Sequence, residues 1–203
     1  MHRRAAAIAI VLALASVGGC AVSGEGAGAS PTSESSAISL PSSEVDWRDG
    51  APSDDPIAMV AWEALMSPDG EYAAEAAYTA VLERHGEVEP YATIRAAEQR
   101  HSSALTRQLR RMGVEVPANP WLEQIPAPDD LATAARAWAD GEVANIEMYD
   151  RLLGRVSDDP MLTRVLTNLR RASERSHLPA FRAAADNGGT LPPERIPRGG
   201  PRR

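Results

Sequence analysis

Cysteine is almost absent from this chain of 203 residues, in which Cys20 is the only one. A single cysteine excludes a disulfide within the chain, a zinc site built from several thiolates and an iron–sulfur cluster. Any redox chemistry must therefore depend on carboxylate and imidazole ligands, and its electrons must come from an external donor.

The motifs of several other functions are missing as well. The sequence has no Gly-rich phosphate loop, no Gly-x-Ser-x-Gly elbow, no repeated unit and no segment that predicts a β-strand. Acidic residues outnumber basic ones by 28 to 21, and without Arg3 and Arg4 of a signal peptide the net charge is −9. This negative charge argues against nucleic acid as a partner and against electrostatic docking on anionic lipid.

Residues 1–19 have the features of a bacterial lipoprotein signal peptide. Arg3 and Arg4 form a basic start, and residues 5–16 form an apolar stretch that is too short to span a bilayer. The following Val17-Gly18-Gly19-Cys20 resembles a lipobox, so we expect Cys20 to be lipidated and to anchor the chain on the extracytoplasmic side of the cell membrane. The alternative is a free thiol near a signal cleavage site.

Residues 20–55 are rich in Ser, Gly, Ala and Pro. Such a segment buries too little apolar surface to offset the entropy of ordering it, so it predicts a flexible tether. The alternative is a partner-binding motif around Val45-Asp46-Trp47.

Residues 56–189 predict one all-α domain, followed by a disordered tail at residues 190–203. Alanine-rich segments that are poor in β-branched residues alternate with Pro, Gly and Asp. Four helical segments are expected, at residues 57–85, 90–112, 128–156 and 159–187. The last should begin with Asp159 as N-cap and Pro160 at its first position, and Pro179 should kink it just beyond His177.

Two further features concern the connections. Residues 67–70 interrupt the first helical segment, either as a kink or as a fresh start with Ser67 as N-cap and Pro68 at the first helical position. Residues 113–128 contain four prolines and predict a long crossover between helices two and three, with three expected packing anchors: Trp121, Leu122 and Ile125.

Two Glu-x-x-His pairs, Glu98 with His101 and Glu174 with His177, dominate the chemistry of the sequence. Residues three apart share one face of an α-helix. A lone glutamate lies about thirty residues upstream of each pair, Glu71 and Glu142, and each midpoint falls on turn or helix-breaking residues, near 84–86 and 157–160. Each hairpin should therefore bring its glutamate level with its pair, which is the pattern of a two-metal carboxylate site in a four-helix bundle.

A tyrosine follows each lone glutamate by seven residues, Tyr78 after Glu71 and Tyr149 after Glu142. Seven residues are two helical turns, so each tyrosine lies on the face of its glutamate. Glu75, one turn after Glu71, is an alternative to Glu71 or a neighbour of the site.

The segments that carry these residues resemble the ferritin-like superfamily of rubrerythrins, bacterioferritins and ferritins, and within it a bacterial ferritin-like domain family. The resemblance extends from Glu71 to Phe181 and is clearest over residues 71–78, 91–101 and 172–181. It implies an antiparallel four-helix bundle with one long crossover between helices two and three. It also implies that Glu71 and Glu142 are terminal metal ligands, that Glu98 and Glu174 bridge the metals, and that His101 and His177 complete the set.

Hard oxygen ligands with two imidazoles suit two iron or manganese ions. Tyr78 and Tyr149 would donate hydrogen bonds or electrons beside them, although a tyrosine in a bundle core is more often a packed ring with a satisfied hydroxyl.

Two functions remain open from the sequence. The first is a membrane-anchored oxidoreductase of the ferroxidase or peroxidase type, which uses oxygen or peroxide and an external electron donor; a homodimer is compatible with it. The second is a metal-free helical bundle that acts as a binding or scaffolding module of the cell envelope.

Overall fold

The computed structural model describes residues 45–192, and these residues form an all-α fold. The predicted signal peptide, Cys20, most of the tether and the end of the tail lie outside the described residues. Within residues 45–192 there is no β-strand, only an isolated antiparallel bridge between Glu89 and Leu191, and no helix long and apolar enough to cross a bilayer. The elements are α1 (Pro56–Met66), α2 (Glu71–His85), α3 (Tyr91–Arg111), α4 (Leu131–Leu153), α5 (Pro160–Ala172), a π-helical turn (Ser173–His177) and α6 (Leu178–Asp186).

The first predicted helix is divided at residues 67–70, and the second half begins later than the fresh-start prediction proposed. Ser67 does not cap α2; it ends α1, where its N–H donates to the Glu63 carbonyl, and Gly70 takes the N-cap position. A Cβ at Gly70 would lie 2.8 Å from the Ala64 carbonyl oxygen, so the close return of the chain on α1 requires glycine there.

The crossover from α3 to α4 covers this break. The indole of Trp121 is buried and donates a hydrogen bond of 2.9 Å to the carbonyl of Met66, the last residue of α1. Asn119 donates to the carbonyl of Tyr72 at 2.8 Å. Ile125 is half-buried against the cluster of Ala73, Ala76 and Trp121. Leu122 is 42% exposed, so its prediction as an anchor is wrong. Two adjacent residues outside a regular helix point in different directions, and only one of them can face the bundle.

Residues 45–55 pack on the bundle, although the sequence assigned them to the tether. The indole of Trp62 donates to the carbonyl of Trp47 at 2.8 Å, and the Trp47 side chain packs against α1. Asp55 then caps α1 by accepting from the N–H groups of Ile57 and Ala58. The predicted start of the domain at Pro56 is therefore too late, because the tryptophan gives this polar segment an apolar anchor.

The last predicted helix begins as expected, with the Asp159 carboxylate capping α5 and Pro160 at its first position. Pro179 was expected to kink this helix just beyond His177, but the irregularity is instead the π-helical turn at Ser173–His177, which precedes the proline. The N–H of Leu178 donates to the carbonyl of Ser173, five residues back, which widens the turn. The proline ring crowds the preceding turn and offers no N–H, and the wider turn relieves that conflict without ending the helix.

The helices form two hairpins that pack together. In the first, α1 and α2 pack against α3; in the second, α4 packs against α5, the π turn and α6. Two hydrophobic clusters fill the interior. One includes Trp62, Leu105 and Leu166, and the other includes Trp138, Tyr91 and Phe181. The polar residues described below lie between them.

The contact of the crossover with the first hairpin makes a testable prediction. Trp121→Ala should lower the free energy of unfolding by about 3 kcal/mol, because it removes a buried ring and leaves the Met66 carbonyl without its donor. Urea unfolding followed by circular dichroism measures the change. Leu122→Ala is the matched control and should cost less than about 1 kcal/mol; equal losses at the two positions would contradict the assignment of Trp121 as the anchor.

Candidate metal centre

Five of the six predicted metal ligands meet in one layer of the bundle. The five are Glu71 at the start of α2, Glu98 and His101 on α3, Glu142 on α4 and His177 in the π turn. All are buried except His101, which is half-buried. Each element contributes its residues from the face that it turns toward the opposite hairpin.

The five residues form two overlapping triads that share Glu98. In the first triad, His101 Nδ1 lies 2.8 Å from Glu98 Oε2 and 3.3 Å from Glu71 Oε2. In the second, His177 Nδ1 lies 3.1 Å from Glu98 Oε1 and 3.5 Å from Glu142 Oε1. The ligand atoms of each triad lie within 4.8 Å of one another. Glu98 therefore presents one oxygen to each half, which is the arrangement a bridging carboxylate needs.

The two tyrosines bond across the halves rather than within them. Tyr149 donates a hydrogen bond to Glu71 Oε1, and Tyr78 donates to Glu142 Oε1 at 3.4 Å. Seven residues forward on α2, from Glu71 to Tyr78, the partner lies seven residues back on α4, from Tyr149 to Glu142, so the two helices run antiparallel. The spacing of seven residues places each tyrosine opposite the other half's glutamate, and the hydroxyls fix the orientation of both terminal carboxylates.

Glu174, predicted as the second bridging ligand, does not join the cluster. Its side chain is 44% exposed and pairs with Arg170 at 3.2 Å. Residues three apart share a face in an α-helix, but a π-helical turn rotates less per residue, so Glu174 and His177 diverge. The turn that carries His177 into the site carries Glu174 out of it.

Glu75, the alternative to Glu71, also stays outside both triads. Its carboxylate is half-buried and accepts a hydrogen bond from Ser102 at 3.4 Å. Glu75 thus packs beside the site on α2 and α3, and Glu71 itself supplies the carboxylate of the first triad.

Protons occupy this cluster when no cation is bound. Burial and the neighbouring Glu98 carboxylate raise the pKa of Glu71 to about 8. Burial opposes protonation of His101, but Glu71 and Glu98 outweigh it and raise the pKa of His101 to about 10. In the same way, Glu98 and Glu142 overcome burial and raise the pKa of His177 well above its usual value.

The pKa of the shared carboxylate, Glu98, is shifted in the opposite direction. Burial alone would favour the neutral acid, yet the charge of His177 and hydrogen bonds from its neighbours hold the pKa of Glu98 well below its usual value. Burial and the nearby carboxylates raise the pKa of Tyr78 and of Tyr149 well above 10, so both phenols remain donors. The centre of the cluster is thus a carboxylate held between cations.

The two triads are groups of side chains that could hold a metal ion. Glu71 Oε2, Glu142 Oε2 and His177 Nδ1 are buried without an aligned hydrogen bond. Glu71 Oε2 and His177 Nδ1 still have ion-pair contacts, at 3.3 Å with His101 and at 3.1 Å with Glu98, whereas Glu142 Oε2 has neither kind of partner among residues 45–192. A polar atom of this kind is costly in a protein interior unless something else binds it. Three carboxylates and two imidazoles are also the donor set that iron and manganese prefer.

One feature of the site was not predicted from the sequence. A cleft of about 250 Å³ opens between α2 and α4 and reaches Tyr78 and Glu142 from the surface. Small residues line both helices, at Ala74 and Ala77 on α2 and at Ala137, Gly141 and Ala144 on α4. Their helical spacing of three, four and seven residues was the signal in the sequence that marks a shared face.

Comparison of the chain with protein-family models, with curated proteins and with solved structures finds no match. The function proposed below rests on the geometry and chemistry of the two triads.

The predicted cluster includes Glu174 and the observed cluster does not, so metal loading of variants can distinguish the two. Glu174→Ala should leave the amount of bound iron or manganese per chain unchanged, because its carboxylate lies at the surface. Glu98→Ala should abolish binding, because both triads lose their shared oxygen donor. Mass spectrometry of the metal content after loading distinguishes them, and loss of metal in the Glu174 variant would show that the π turn rearranges to bring this residue in.

Metal binding should release protons, since ligands must be deprotonated. The pKa of Glu71 is raised to about 8 and that of His101 to about 10, and Glu98 and Glu142 raise the pKa of His177 well above its usual value, so metal binding at pH 7 should displace protons from these residues. Fewer should be released at pH 9, where Glu71 has already lost its proton. Calorimetric titrations in buffers of different ionisation enthalpy measure this number, and binding without proton release would contradict the assignment of these ligands.

Proposed function

We propose that this chain is a dinuclear metal protein with a ferritin-like bundle, in which iron or manganese reacts with oxygen or peroxide in ferroxidase- or peroxidase-type chemistry. The observation that supports it best is the sharing of Glu98 between two buried carboxylate–imidazole triads. A single-metal site would need only one triad, and a structural ion-pair network would not need a carboxylate with one oxygen in each half.

The residues of the chain have distinct roles in this proposal. Glu71 with His101, and Glu142 with His177, would each hold one cation, and Glu98 would join the two. Bound iron or manganese would supply the redox change that none of these side chains can undergo. With Glu174 at the surface, each triad would offer three protein ligands, and the remaining ligands of a bound cation would come from solvent or substrate.

The tyrosines and the hydrophobic clusters support the same centre. Tyr78 and Tyr149 orient the terminal carboxylates by hydrogen bonds. The cluster containing Trp62 lies on one side of the polar layer, and that containing Trp138 lies on the other, so water reaches the layer only from restricted directions. A dry surrounding strengthens every electrostatic interaction between the ligands and a cation.

The location of the protein is part of the proposal. The lipobox-like residues before Cys20 support an extracytoplasmic bundle that is anchored to the membrane by a lipid, with the intervening residues as a tether. The electrons would come from an external donor, because the chain has no second cysteine for a thiol couple.

A metal-free binding or scaffolding module is the second candidate. It is favoured by the exposed position of Glu174, which removes one of the six expected ligands. It is also favoured by the protonated imidazoles, which already balance part of the carboxylate charge. The buried Oε2 atom of Glu142, which has no hydrogen-bond or ion-pair partner in residues 45–192, counts against it.

Metal stoichiometry and turnover test the proposal together. The purified protein, loaded with iron under anaerobic conditions, should bind close to two ions per chain, and admitting oxygen or peroxide should oxidise ferrous iron. The double variant Glu98→Ala with His101→Ala should lose both metal and activity, whereas Glu174→Ala should retain both. Binding of no iron and no manganese would overturn the metal site and leave the scaffolding module.

A further inference from the structure

The cleft between α2 and α4 has a size and lining that the metal centre itself does not require. Its volume is about 250 Å³, several times the ~30 Å³ that one water occupies in the liquid. Oxygen and peroxide are hardly larger than water, so neither of them needs such a space. Small-molecule sites in proteins begin near 300 Å³ and are mostly apolar, so the cleft suits a compact organic molecule.

The inner wall of the cleft consists of four apolar or aromatic residues and ends at the metal centre. The four are Ala74, Ala77, Trp138 and Tyr78, of which Trp138 and Tyr78 are 3% exposed. The hydroxyl of Tyr78 contacts Glu142, and Glu142 Oε2 is buried without a hydrogen-bond partner. A ligand that follows this wall would place its far end beside the second triad.

The outer part of the cleft is acidic. Its acidic mouth consists of Asp69, in the break before α2, and Asp140 on α4. None of the residues that line the cleft is basic, and within residues 45–192 neither aspartate takes part in an ion pair.

The polar atoms between mouth and inner wall are acceptors. The Oδ1 atom of Asn145, which also lines the cleft, is buried without a hydrogen-bond partner. An N–H donor would satisfy it, whereas a carboxylate or phosphate would meet only further negative charge. The lining therefore selects for positive charge at one end of the ligand and for apolar groups at the other.

We propose that the cleft binds a small organic ammonium compound, with its ammonium group at the acidic mouth and its apolar part along the inner wall. As a binding site the cleft stands independently of metal. As the site of a substrate it depends on the proposed function, because only bound metal would make the apolar end reactive.

Titration calorimetry on the full chain, before metal is loaded, tests this with benzylamine and its neutral counterpart benzyl alcohol as probes. Benzylamine should bind at least about tenfold more tightly than benzyl alcohol, a difference of about 1.4 kcal/mol. The double variant Asp69→Asn with Asp140→Asn should remove this preference and leave benzyl alcohol binding unchanged.

Filling the cleft is the second arm of the experiment. Ala144→Leu places a larger side chain on the lining and should weaken both probes by at least about tenfold. Ala104→Leu on α3 is the matched control, since Ala104 is also half-buried but does not line the cleft, and it should leave binding unchanged. Thermal unfolding confirms that each variant folds.

The outcomes separate the two proposals. Absence of saturable benzylamine binding up to about 10 mM, or equal binding by the Ala144→Leu variant, would overturn the ligand site even if two metals bind per chain. Binding of benzylamine by a chain that takes up no metal would overturn the metal centre and leave the cleft as a site for organic cations.

Discussion

The carboxylate of Glu98 lies between two imidazoles in the middle of the bundle, and the remaining site residues are arranged around it. An ionised carboxylate in an apolar interior is costly unless cations and donors surround it. His101 and His177 provide that charge from opposite sides, and Glu71 and Glu142 lie behind them. Four separate segments must therefore converge on one layer, which couples the packing of both hairpins to the chemistry of the site.

Both irregularities of the bundle helices lie next to this layer. The break between α1 and α2 ends at Gly70, so Glu71 begins α2 where the helix dipole favours an acidic side chain. The π turn in the last helix carries His177. Interruptions of this kind cost backbone hydrogen bonds or entropy, and they are commonly found where side chains must be placed for function. Trp121 packs on the break between α1 and α2, and the π turn relieves the conflict that Pro179 would cause in an α-helix.

The site is nearly symmetric in its ligands and asymmetric in its surroundings. Each triad has one terminal glutamate, one histidine and one tyrosine hydroxyl from the opposite half. Only the second triad meets the cleft. Glu174, predicted to bridge both halves, lies at the surface, so each triad keeps three residues and the asymmetry of the site lies in access from the cleft.

The sequence by itself determined the helical class, the cap at Asp159 and the hairpin midpoints, and its six predicted ligands include the five residues that meet. These follow from local spacing, since a helix places residues three, four and seven apart on one face and a tight turn brings equidistant residues level. Only the tertiary structure decided that Glu174 points outward, that Trp47 and Trp121 pack while Leu122 does not, and that the tyrosines bond across the halves. Each of these depends on rotation of a helix or on contacts between distant segments, and local spacing carries no information about either.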